Sequence, residues 1–242
     1  MDDLLAGWQL RLGEEYPPGA AGRAFRVTRA DGTPAVLKVG HPHRESLQEA
    51  DALERWDGDG AVRLLERDDA RHALLLERCE PGTPLSQWEG DRVGVLIGLL
   101  PRLWKSPGGF HTLADEIGFW EELGELDDRA RGLAAELAPT QGELVLCHQD
   151  LHGDNVLAAQ RERWLAIDPK PLAAEREFQL APIVRSGELG HSRREALYRL
   201  DRICEVLALD RERARLWTIV QTTAWSENGA LESHRDVLDW LA

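Results

Sequence analysis

The sequence predicts an α+β protein in two lobes: a small antiparallel-sheet lobe over residues 1–78 and a larger, mainly helical lobe over residues 79–242. Three observations lead there. Two alternating apolar runs, 24–29 and 34–39, flank a turn at Ala30-Asp31-Gly32-Thr33, and Asp-Gly between such runs signals a hairpin. From Pro84 onward the apolar residues recur at helical spacing instead. Between the two patterns, Leu74-Leu75-Leu76 runs into Glu77-Arg78-Cys79-Glu80-Pro81-Gly82, where the composition shifts and the lobe boundary is placed.

The elements follow in order. Residues 16–22 are small and loop-like but do not fit G-x-G-x-x-G, so they read as a linker and not as a nucleotide loop. The first hairpin carries Lys38 on its return strand. Residues 44–56 form a helix with Leu47, Ala50, Leu53 and Trp56 on one stripe. Glu45 and Glu49, four apart, share a side of it. Asp57-Gly58-Asp59-Gly60 ends the helix, and strands 61–66 and 72–78 complete the small lobe. In the larger lobe, 91–104 is a helix that Pro101 kinks or ends. Two amphipathic helices follow at 113–126 and 127–137, and a second hairpin pairs 155–159 with 163–167. Residues 177–242 read as four helices, with Trp217, Trp225 and Trp240 on them.

The totals exclude several classes. A chain of 242 residues, 43% hydrophobic and 30% charged, has ample material for a core. A net charge of −14 argues against nucleic acid or an anionic membrane as partner. It is compatible with a cationic small molecule, but ordinary acidity is the plainer reading. Cys79, Cys147 and Cys204 form no CxxC pair, so neither a disulfide framework nor a structural zinc site is expected. The start, Met1-Asp2-Asp3-Leu4-Leu5, is acidic where a signal peptide is basic. The longest apolar run, 93–100, falls well short of the ~20 residues that cross a bilayer. A cytoplasmic protein, monomeric or weakly dimeric, is expected. Arginine is the default cation, and the only lysines are Lys38, Lys105 and Lys170. A lysine kept where arginine is the rule marks a place that needs a compact charge.

The chemistry concentrates in Val145-Leu146-Cys147-His148-Gln149-Asp150-Leu151-His152-Gly153-Asp154-Asn155-Val156-Leu157, followed by Trp164-Leu165-Ala166-Ile167-Asp168-Pro169-Lys170. Apolar strands ending in carboxylates and an amide present oxygen ligands of the kind Mg²⁺ takes. Phosphoryl transfer needs a lysine on the phosphates, a glutamate holding it, an aspartate at the acceptor hydroxyl, and an amide and carboxylate on the metal. Asp150 and Asn155 have the five-residue spacing of such a loop, and Asp168 ends the hairpin that follows. Upstream, Lys38 lies on a strand and Glu49 on the helix after it. Each match alone is weak; the five in order, on the right element types, form a strong joint pattern.

His148-Gln149-Asp150-Leu151-His152-Gly153-Asp154-Asn155 resembles the H-G-D-L-H-x-x-N loop of the aminoglycoside phosphotransferases. Residues 164–172, 56–65 and 74–85 look like the aminoglycoside and hydroxyurea kinase branch of that family, which includes the streptomycin kinases. The resemblance spans about residues 24–185. It implies a protein-kinase-like fold with ATP and Mg²⁺ in the cleft between the lobes and a small-molecule hydroxyl as acceptor. It further implies Asp150 as catalytic base, Asn155 and Asp168 as Mg²⁺ ligands, Lys38 paired with Glu49 on the phosphates, and adenine against the backbone from Glu77 to Cys79. Two residues depart from the pattern. Gln149 stands where the loop has Gly, which is expected to alter its backbone if φ is positive there. Gln179 stands where Asp is usual, weakening a buried contact beneath the loop.

Plainer roles fit other residues. His148 and His152 read as structural supports of the loop, Asp154 as exposed, and Trp217 and Trp225 as core. Glu227 is a weaker acidic candidate for a cationic acceptor. The competing enzyme class is a metal-dependent hydrolase, in which His148, Asp150 and His152 share one face of an extended segment with Asp168 nearby. A kinase fold that binds nucleotide without efficient catalysis is the third reading.

Overall fold

In the computed structural model, residues 1–17, 22–40, 44, 47–226 and 231–242 are described. Most of the 16–22 loop, with Glu45 and Glu227, lies outside them. The chain opens with α1 (Asp2–Gly7), β1 (Arg11–Glu15), β2 (Gly22–Thr28) and β3 (Pro34–Gly40), continues with α2 (Glu49–Trp56), and adds β4 (Leu64–Asp68) and β5 (Ala73–Glu77). The five strands form one antiparallel sheet in the order β1-β2-β3-β5-β4.

The β2–β3 hairpin forms where the sequence places it. The Asp31 side chain accepts from Thr33 N–H at 2.8 Å, which closes the turn. Alternation sends Phe25, Val27, Ala35 and Leu37 into a small core with Leu75, packed by Leu5 and Trp8. Neither α1 nor β1 has a counterpart in the sequence reading. The six-residue α1 has no side-chain cap, and all five residues of β1 are exposed, so neither carries a burial period. Helix α2 starts later than expected, and Leu47 is 59% exposed instead of joining the stripe of Ala50, Leu53 and Trp56. The strand expected from 61 begins only at Leu64, because Val62 N–H donates to Ala166 C=O instead.

The larger part contains α3 (Arg92–Leu103), α4 (Leu113–Leu123), α5 (Asp128–Leu137), β6 (Leu144–Cys147), β7 (Val156–Ala158), β8 (Trp164–Ala166), β9 (Leu172–Glu175), α6 (Ala181–Val184), α7 (Arg193–Leu207), α8 (Arg211–Ala224) and α9 (Glu232–Leu241). Asp91, Thr112, Asp127, Ser192 and Asp210 each cap the helix after them through the side chain. Pro101 sits in the last turn of α3 without ending it there. Strand β9 pairs with β6, and β7 with β8. The expected list lacks β9: all four of its residues are buried, so it shows no alternation.

The sheet and the helical part are stitched together at the site. Trp56 Nε1 donates to Leu103 C=O at 2.8 Å, and Ala166 N–H to Gly60 C=O at 2.9 Å. The Arg161 guanidinium grips both carboxylate oxygens of Glu77 at 2.9 and 3.0 Å. One buried apolar cluster runs from Trp56 and Leu76 through Leu100 to Leu146, Leu165 and Leu200. No helix among the described residues is long and apolar enough to cross a membrane.

Candidate active site

Because Leu37 enters the small core, Lys38 projects from the opposite face of β3. Its Nζ donates to the two Glu49 oxygens at 2.8 and 2.7 Å and to Asp168 Oδ1 at 2.5 Å. Glu49 is the first residue of α2, where the helix dipole favours a carboxylate. Burial opposes the charge on Lys38, but the Glu49 and Asp168 carboxylates outweigh it and raise its pKa. Burial pushes the Glu49 carboxyl up. It acts on Asp168 too, yet Lys38 and Lys170 together hold that carboxyl low. The two acids share one ammonium, and the more open Asp168, with a second lysine beside it, keeps its negative charge more firmly.

The 148–155 loop is built around the His148 backbone. Its N–H donates to Gln179 Oε1 at 2.6 Å, and its C=O accepts from Asp150 N–H at 2.8 Å and Lys170 N–H at 3.0 Å. The ring is fully buried, stacks on Trp56 with centroids 5.9 Å apart, and donates from Nε2 to Ile167 C=O at 2.9 Å. That burial lowers its pKa to about 4, so the ring is neutral. Gln149 follows at φ +62°, the left-handed conformation for which glycine is suited. The buried Gln149 donates to Glu116 Oε1 at 3.3 Å, and its C=O accepts from Gln221 at 3.2 Å. The glutamine thus adopts the backbone a glycine would take and is tied there from α4 and α8. Gln179, through its amide oxygen, makes the buried contact beneath the loop.

Asp150 and Asn155 meet within this loop. The Asn155 amide donates to Asp150 C=O at 2.9 Å and to Oδ2 at 3.2 Å. Hairpin β7–β8 begins immediately after Asn155, whose C=O accepts from Ile167 N–H at 2.9 Å, so Asn155 and Asp168 emerge side by side at its open end. Lys170 Nζ donates to Asp150 Oδ2 at 2.5 Å and lies 3.7 Å from Asp168 Oδ2. Asp168 itself has φ +54° although it precedes Pro169. A non-glycine residue there is strained, and such strain is characteristic of functional sites.

The histidines do not gather as a hydrolase requires. His148 spends its ring inside the core, and His152 Nε2 is 3.9 Å from Asp150 Oδ1. The His152 Nδ1 donates to Glu188 Oε1 at 3.2 Å. Glu188 already accepts from Gly153 N–H and the Ser186 hydroxyl. Burial would raise its pKa, but His152 and Ser186 hold it near 2.

The sequence pattern of the aminoglycoside/hydroxyurea antibiotic resistance kinases matches residues 8–230. The chain belongs to this family. It is 41% identical over 92% of its length to a hydroxyurea phosphotransferase of Kitasatospora aureofaciens, 71% of which is covered. It is 39% identical over 90% of its length to a streptomycin 6-kinase of Streptomyces griseus, 79% of which is covered. A choline kinase from Streptococcus pneumoniae superposes with a TM-score of 0.72 at 16% identity, over 99% of this chain and 96% of that one. An aminoglycoside phosphotransferase, APH(4)-Ia, in ternary complex with ADP and hygromycin B gives 0.65 at 14% identity, over 99% and 95%. At such identities these two show the fold alone, which is protein-kinase-like. This antibiotic resistance kinase is accordingly a phosphotransferase.

Of the residues singled out by sequence, Lys38, Glu49, Asp150, Asn155 and Asp168 converge through shared hydrogen bonds. Glu77 and Cys79 lie apart from this cluster, at the link between the two parts. The Glu77 carboxylate is committed to Arg161 and to Arg63 N–H, while Cys79 is buried and its thiol pushed up to about 12. Trp217 is core, edge-on to Phe178. Trp225, also expected in the core, is half-buried against it and also borders the site, with Arg185 4.6 Å and Lys170 5.9 Å from its ring. Arg185, Gln221 and Glu188 were not singled out by sequence. Each is placed here by helix packing and carries no local motif.

Proposed function

We propose that this enzyme transfers the γ-phosphoryl group of ATP to a hydroxyl of a streptomycin-like aminoglycoside or of a hydroxyurea-type acceptor. One observation carries the reading: Asp168 is bonded to Lys38, itself clamped by Glu49, while Lys170 and Asn155 tie Asp150 to the same point. Those are the parts phosphoryl transfer requires, gathered in one cluster. The names of the relatives, hydroxyurea phosphotransferase and streptomycin 6-kinase, support the acceptor class. The nucleotides in the solved neighbours, AMP, ADP and AMP-PNP, support the donor.

Lys38 neutralises phosphate charge, and Glu49 keeps its ammonium in place. Asp150 orients the acceptor hydroxyl and takes its proton as the new oxygen–phosphorus bond forms. Asn155 and Asp168 are the residues that would hold Mg²⁺. Their donor set fits: the Asn155 NH₂ is spent on Asp150, which leaves a neutral amide oxygen beside a carboxylate that keeps its charge. When bound, the ion supplies neutralisation of phosphate charge. Adenine then lies against the backbone from Glu77 to Cys79, where β5 ends, and the Glu77 side chain braces that edge through its bonds to Arg161. In this reading residues 1–78 carry the nucleotide and residues 79–242 the acceptor.

Incubation with γ-labelled ATP, Mg²⁺ and either streptomycin or hydroxyurea tests the proposal. Label is expected on one acceptor. Label on neither, with nucleotide binding intact, would remove the acceptor assignment.

A further inference from the structure

Two of the chain's three lysines stand within the site although arginine is its default cation. The roles above use Lys38 but give Lys170 no part beyond its tie to Asp150. Its ammonium lies between the two functional aspartates, at 2.5 Å from Asp150 Oδ2 and 3.7 Å from Asp168 Oδ2. The backbone that presents it is fixed on every side. Pro169 and Pro171 flank it, and a following proline restricts Lys170 to extended conformations. Its N–H is bonded at 3.0 Å to the same His148 carbonyl that holds Asp150 N–H. The Trp225 ring from the C-terminus of α8 lies 5.9 Å from Nζ. The side chain retains 17% exposure, enough to meet a ligand in the cleft. Arginine would place a broad fork there, whereas an ammonium is a compact charge with three donors that can re-aim without moving its stem.

Resting on the phosphotransfer reading, we infer that Lys170 is a further catalytic residue, whose ammonium contacts the transferring phosphoryl group between Asp150 and Asp168. In the step it serves, the acceptor oxygen bonds to the γ-phosphorus while the bond from that phosphorus to the β–γ bridging oxygen breaks. ADP departs with the electron pair, and the acceptor proton goes to Asp150. Lys170 gives up no proton; it stabilises the charge on the phosphoryl oxygens, as a preorganised donor does. Before nucleotide enters, the same ammonium holds Asp150 in place.

The test is nucleotide discrimination by calorimetry, which does not depend on the acceptor. Wild type, Lys170→Met and Lys170→Gln are each titrated with AMP-PNP and ADP in Mg²⁺. Contact with the γ-phosphoryl predicts that both variants lose about tenfold in AMP-PNP affinity and keep ADP affinity within about twofold. With whichever of streptomycin and hydroxyurea the wild type phosphorylates, kcat should fall on the order of 10²–10³, the range for loss of one oxyanion donor, with the acceptor KM little changed. Lys170→Cys treated with 2-bromoethylamine rebuilds a lysine-like cation and should recover AMP-PNP preference. Cys79, Cys147 and Cys204 are buried, and treated wild type is the control. If the folded variants bind AMP-PNP and ADP in the wild-type ratio, Lys170 only neutralises Asp150 and the inference is overturned. Should Lys170→Met not fold, Lys170→Gln, which keeps a donor to Asp150, decides the matter. A wild type that separates AMP-PNP from ADP yet labels neither acceptor would count against the acceptor assignment and leave Lys170 standing.

Discussion

His148 shows how far a single residue can be read from sequence. Its place in the motif suggests support of the loop, and its burial settles how that support works: ring against Trp56, N–H to Gln179, carbonyl to both Asp150 and Lys170. The cost appears in acid. The ring's pKa falls from 6.5 to about 4 in the fold, so between those values the unfolded chain binds a proton that the native state refuses. Stability is therefore lost as pH drops through that window, by at most about 3 kcal/mol for this one group. His234, also lowered to about 4, adds a loss of the same sign. Denaturant titrations at pH 7 and 4.5 should show His148→Gln less stable than wild type at pH 7 but losing less on acidification. An equal acid loss in both proteins would mean that His148 does not carry it. Gln149 and Gln179 were less legible. A departure from a motif says that something differs; only the tie to Glu116 and the bond from His148 N–H show that the loop is held regardless.

Among elements, those with a period were legible and those without were not. The β2–β3 hairpin and α3 each pair a turn or cap signal with one-sided burial, and the hairpin between Asn155 and Asp168 was legible from its two apolar runs and the polar turn between them. Strand β9 is buried on both faces, and it was missed although its pairing with β6 anchors the 148–155 loop. At its end the buried Glu175 accepts from Arg213 Nε at 2.5 Å, from Trp217 Nε1 and from Gly142 N–H at 2.9 Å. Removing one partner of a buried pair is expected to cost about 3–5 kcal/mol. Glu175→Ala should accordingly lower Tm on the order of 10 °C in a chain of this size. It should leave the acceptor KM unchanged in the fraction that stays folded. A shift of a degree or two in Tm would show that β9 does not depend on this network.

At the scale of the whole molecule, the two-part architecture was readable because the hydrophobic period changes from strand to helix near residue 80. The arrangement of the parts was not, because it rests on contacts with no sequence period: Arg161 on Glu77, Trp56 on Leu103, Val62 on Ala166. Those contacts set the distance from β3 to the β7–β8 hairpin, and so let Lys38 reach Asp168. The side of the site reached from the C-terminal helices is the least legible region. Trp225, Arg185 and Glu188 come to it from helical segments whose polar residues follow no motif. The central claim is that this cluster performs phosphoryl transfer with Asp150 as the base. The most direct measurement is the rate of labelled phosphoryl transfer to streptomycin or hydroxyurea by wild type and by Asp150→Asn, which keeps the shape and removes the charge. Loss of a general base predicts a fall in kcat on the order of 10²–10⁴ with nucleotide binding and Tm nearly unchanged; transfer by Asp150→Asn at the wild-type rate would contradict the account.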